Sequence, residues 1–68
     1  METAEQVGES LRQWRIMLGL SQELAAERAD ISIPTLRRIE RGDPGVRLGS
    51  MLALASILGL NERITEAA

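Results

Sequence analysis

Cysteine, histidine, lysine, tyrosine and phenylalanine are all absent from the 68 residues, and tryptophan occurs once. Without cysteine, neither a disulfide nor a thiolate metal site can brace the chain. Without histidine as well, a zinc or transition-metal site lacks its usual donors. The same gaps remove four of the commonest acid, base or nucleophile side chains, leaving Asp, Glu, Ser, Thr and Arg. No two carboxylates stand in surroundings apolar enough to separate their pKa values, so neither catalysis nor a cofactor is expected. A lone aromatic is too few for a groove that stacks single-stranded bases. No apolar run is long enough to cross a bilayer and no secretory signal is visible, which makes the cytoplasm the expected location and excludes a membrane partner.

What is present suits one small domain, residues 1–68, with a core over about residues 7–60. Hydrophobic residues make up 44% of the chain, but eight are alanine, so the core must be compact. A chain this short sits near the stability limit, and a homodimer interface would add support. Net charge is -2, with eight arginines against ten acidic residues. Its distribution matters more than its sum. Arg37, Arg38, Arg41 and Arg47 face only Glu40 and Asp43 within residues 32–47, whereas both flanking segments are net acidic. A basic segment inside an acidic molecule fits a face that meets phosphate, although an ordinary solvated helix face would read the same way.

Val7, Leu11, Trp14 and Leu18 recur at helical spacing and Gly19 follows, which predicts a first helix from Ala4 to Leu18. Ser21 is a suitable N-cap for a second helix through Ala29, and Ser32 for a third, with Pro34 in its first turn, to Arg41. Gly42, Asp43, Pro44 and Gly45 then make a loop. Ser50 can cap a fourth helix, too apolar for a single buried stripe, and Gly59 ends it. Asn61 opens a short fifth helix through Thr65, and no strand is expected. Trp14, Met17 and Met51 read as core residues.

Two short helices joined by about four residues are a helix-turn-helix pattern on spacing alone. In the third helix Leu36, Ile39 and Glu40 fall on one side, and Pro34, Arg37, Arg38 and Arg41 fall at i, i+3, i+4 and i+7 on the other. One side packs while the other presents guanidinium groups, which bridge phosphates or fork onto guanine.

The stretch Leu20-Ser21-Gln22-Glu23 through Ala29, followed by Ile31-Ser32-Ile33-Pro34-Thr35-Leu36-Arg37-Arg38-Ile39-Glu40-Arg41-Gly42, resembles the Cro-like, or XRE, helix-turn-helix family of phage and bacterial repressors. The run Arg41-Gly42-Asp43-Pro44-Gly45-Val46 with the leucine-rich helix after it is similar to the HipB-like antitoxin branch, partners of HipA-type toxin kinases. The resemblance implies an all-α bundle of about five short helices in which the second and third form the motif. It implies that Ser21 and Gln22 lie against DNA backbone. It also implies that Ser32, Ile33, Pro34, Thr35, Arg37 and Arg38 belong to the recognition helix; Arg41, by its place at the helix end, reads as a phosphate contact or a C-terminal charge. Arg15 and Glu40 match a pair that joins the first and third helices as a structural ion pair.

Three positions depart from the family pattern. Leu24-Ala25-Ala26 replaces polar, Leu, Ala, which suggests a core contact rotated by one position. Asp30 replaces the usual turn glycine, tolerable because Asp visits the left-handed conformation. Ile33-Pro34 lacks side-chain donors, so specificity would lean on Arg, Thr35, thymine methyls and DNA shape.

Two classes of function follow. The first is a double-stranded DNA-binding regulator, a repressor or antitoxin-type autorepressor, that reads the major groove with the third helix as a homodimer. Leu54, Ile57, Leu60 and Ile64 are the expected shared surface. The second is a protein-interaction module that keeps the fold and binds a cognate toxin or another subunit through the apolar C-terminal helices. Only the first requires the Arg37, Arg38 and Arg41 face.

Overall fold

A computed structural model describes residues 3–60. Among them are four helices and no strands: α1 (Ala4–Met17), α2 (Gln22–Ala29), α3 (Ile33–Glu40) and α4 (Leu48–Ile57). The fifth helix expected at Asn61 to Thr65 lies outside the described residues, among which the bundle has four helices.

Local chemistry sets most boundaries. Thr3 Oγ1 accepts the Gln6 N–H while Gln6 Oε1 accepts the Thr3 N–H, a capping box that starts α1. Ser21 Oγ accepts the Leu24 N–H and Ser32 Oγ accepts the Thr35 N–H, starting α2 and α3. At the other ends the chain turns through Gly19, Asp30, Gly42 and Gly59, all with positive φ, and each helix closes with the same pair of backbone bonds. Asp30 is the one non-glycine there, at φ 55°, so the turn into α3 forms without the usual glycine.

Two boundaries differ from expectation. Arg41 caps α3 instead of ending it. The fourth helix begins two residues before the expected cap Ser50: Arg47 is the N-cap, has extended backbone, and makes no side-chain capping bond. Geometry of the preceding loop, not a capping hydroxyl, starts this helix.

Leu36, Ile39 and Leu54 are fully enclosed, and Leu11, Ala25, Ala26, Ala55 and Leu58 complete the centre. Val7, Trp14, Leu20, Ile31, Ile33 and Met51 pack around it half-buried. The expected rotation at Leu24 does not occur. Ala25 and Ala26 enter the core while Leu24 stays half-buried outside it. Met17 is 73% exposed rather than core filler, and Leu18, at 50%, leaves the apolar stripe at the capping turn. Leu54 is 0% exposed and cannot belong to a shared surface.

The packing of α1 on α3 depends on missing side chains. A Cβ on Gly8 would overlap the Ile39 carbonyl oxygen, and one on Gly42 would overlap the Glu5 backbone. Backbones this close hold α3 firmly while its other face is left to solvent.

Candidate nucleic-acid interface

α3 is anchored by Leu36 and Ile39, both 0% exposed, and by buried Glu40. Pro34, Arg37, Arg38 and Arg41 are exposed. Of the other expected contact residues, Ser21 and Ser32 are exposed, whereas Gln22 and Thr35 are half-buried. Ile33 is also half-buried and packs against the core. Thr35 Oγ1 accepts the Ser32 hydroxyl at 2.8 Å, so both residues at the start of α3 are held by one another.

Behind this face the structure brings Arg15 and Glu40 together. Arg15 Nε donates to Glu40 Oε2 at 2.7 Å and Nη2 to Oε1 at 3.2 Å, with side chains 10% and 4% exposed. Arg15 Nη1 also donates to the Leu20 carbonyl oxygen at 2.8 Å, which ties in the turn before α2. A bidentate, enclosed pair of this kind fixes relative positions, because neither charge has water to turn to if the other moves.

Gln22 extends the network to the surface. Its Nε2 donates to Glu40 Oε1 at 3.2 Å, and its Oε1 accepts Arg37 Nε at 3.3 Å. The first residue of α2 is therefore bonded to both the buried and the exposed side of α3. Helix assignment alone does not reveal this link, since the three residues come from separate helical faces.

Arg38 takes a different partner, Asp43, at 2.9 Å from Nε to Oδ2. Asp43 Oδ1 accepts the Gly45 N–H at 2.8 Å. The Gly45 N–H, then Arg38, hold the Asp43 carboxyl below the usual carboxylate range. The sequence reading missed Asp43; its signal was an acid five positions after Arg38 across the Gly42 turn. Arg41 and Arg47 are exposed and in no ion pair among the described residues.

No group of three or more His, Cys, Asp or Glu among the described residues could hold a metal ion. No helix among the described residues is long and apolar enough to cross a membrane. The chemistry on offer is multivalent hydrogen-bond donation from guanidinium groups on a rigid helix, suited to phosphate and base edges.

Comparison with known families agrees with this geometry. The model of a helix-turn-helix family matches residues 11–64, which include all of α2, α3 and α4 and the second half of α1. No curated protein matches the chain.

Proposed function

Because the chain belongs to the helix-turn-helix family of XRE type, a family of DNA-binding regulators, we propose that it is a sequence-specific regulator that reads the major groove of double-stranded DNA with α3. The observation that carries this reading is the division of α3 into a fully enclosed side, Leu36 and Ile39, and an exposed side bearing Arg37, Arg38 and Arg41. In this reading Ser21, Gln22 and Arg41 meet backbone phosphates. Ser32, Pro34, Thr35 and Arg37 lie toward base edges, and Ile33 contributes through packing and thymine-methyl contact. Within this reading a repressor or antitoxin-type autorepressor is the proposed role.

One module covers only a half-site, so the active form would be a symmetric dimer with α3 helices about 34 Å apart. With Leu54 enclosed, half-buried Ile57 and Leu60 remain from the expected surface. Ile64 lies outside the described residues. Sedimentation with a palindromic operator tests this, and one domain per operator at saturation would refute it.

The experiment for the main reading selects an operator from a randomised duplex pool and compares wild type with Arg37→Ala plus Arg38→Ala. Specific binding should be abolished. A folded double variant that binds the operator as wild type does would show that α3 is not the reading helix.

A second reading, a protein-interaction surface for a toxin or partner subunit, is favoured by exposed Leu48 and Leu52 on α4, at 69% and 48%. Beside Leu48 an open depression of about 330 Å³ is lined by Val7, Pro44, Val46 and Met51 among others. The depression is also lined by Asp43, the partner of Arg38, so the two surfaces meet at the Asp43 turn.

A further inference from the structure

Arg38 stands on the exposed face of α3, yet its guanidinium is already engaged. Nε donates to Asp43 Oδ2 at 2.9 Å, bridging the last turn of α3 to the following loop. Asp43 is held in place through both its side chain and its backbone. Its Oδ1 accepts the Gly45 N–H at 2.8 Å, and the Asp43 N–H donates to the Arg38 carbonyl oxygen at 3.0 Å. A Cβ on Gly45 would stand 3.1 Å from Asp43 Oδ1 and 3.5 Å from Arg38 Nη2, so the guanidinium lies across the Asp43 to Gly45 turn. The two side chains are 45% and 36% exposed, which leaves the pair open to an incoming anion.

Carboxylate and phosphate oxygens compete for the same guanidinium donors. We infer that Asp43 is an internal stand-in for a phosphate: it occupies Arg38 Nε in the free protein, and a duplex phosphate that takes Nε must displace it. Asp43 thereby lowers the affinity of the domain for DNA backbone. The inference rests on the DNA-binding reading above. Arg37 is in a different position, because its partner Gln22 Oε1 is neutral and lies 3.3 Å away. It surrenders no ion pair on meeting a phosphate or a guanine. The two adjacent arginines thus differ in availability: Arg37 has no ion pair among the described residues and Arg38 is held back.

The test uses a random-sequence duplex of about 20 base pairs, titrated at several salt concentrations. Asp43→Asn retains an acceptor for the Gly45 N–H and removes the charge. It should bind about two- to fivefold more tightly at low salt, the range of an exposed ion pair, with a salt slope steeper by about one. Part of any gain comes simply from removing a negative charge, so the same change is made in Arg38→Ala. There the gain should fall to less than half on a logarithmic scale. Equal gains in both backgrounds, or no gain in either, would overturn the inference alone. No duplex binding by wild type at low salt would overturn the functional reading and this inference with it. The Arg38 Nε–H resonance provides a check that needs no variant. It should shift as Asp43 is protonated in the free protein and shift again on adding duplex, and indifference to Asp43 would also overturn the inference.

Discussion

Glu40→Ala would leave the Arg15 guanidinium, on a side chain only 10% exposed, with the Leu20 carbonyl oxygen as its remaining partner. Breaking an enclosed pair from one side costs about 3–5 kcal/mol, because the surviving charge stays desolvated. A domain of this length has roughly 3–10 kcal/mol of total stability, so the loss is a large share of it. At about 4–8 °C per kcal/mol for small domains, even 3 kcal/mol lowers Tm by roughly 12–24 °C. Circular dichroism melts and urea titrations read this directly. Glu9→Ala is the control, since Glu9 meets Arg12 at 3.4 Å with side chains 57% and 45% exposed, and it should change stability by less than about 1 kcal/mol. Replacing both partners, Arg15→Met with Glu40→Leu, should recover most of the loss because no charge is then buried alone. The reasoning fails if Glu40→Ala melts within about 3 °C of wild type, since an enclosed unpaired guanidinium cannot be that cheap.

Gly8→Ala should destabilise by about 2 kcal/mol in urea titrations despite better helix propensity, because the new Cβ meets the unyielding Ile39 carbonyl; a gain in stability would show that α1 and α3 are less closely packed. Asp30→Gly should stabilise by on the order of 1 kcal/mol, relieving the left-handed conformation and removing a negative charge from the C-terminal end of α2; a lower Tm would contradict this. Folding lowers the Asp43 carboxyl below its ordinary range, so the unfolded chain binds the proton more readily. That contribution is fully present above about pH 5 and is lost as pH falls through the lowered value. Asp43→Asn should therefore melt below wild type at neutral pH with a gap that closes in acid, and a gap that widens on acidification would refute the assignment.

Helix edges that depend on neighbours in sequence were legible without a fold. Ser21 and Ser32 lie one residue before their helices, and a left-handed residue follows within two residues of each helix end, because caps and turns involve only three to six consecutive residues. Periodicity likewise separated the enclosed side of α3, Leu36, Ile39 and Glu40, from its exposed arginines. What periodicity lacks is the width of the sector that neighbours cover. Leu18 follows the apolar pattern of the first helix and Met17 reads as a core residue, yet both stand in solvent past the edge of the core, while Leu54 is sealed inside it. The start of α4 at Leu48 has no side-chain capping bond to announce it, since its N-cap Arg47 makes none. Arg15 and Glu40 could be paired in advance only through family resemblance, since a separation of 25 positions carries no distance information. The link from Glu40 through Gln22 to Arg37 was decided by tertiary structure alone, whereas the hold of Asp43 on Arg38 spans only five positions across the Gly42 turn. Sequence determined which residues are arginines and on which side of α3 they stand. Which of them is already engaged depends on side chains delivered by other helices and loops, whose positions exist only once the core has closed.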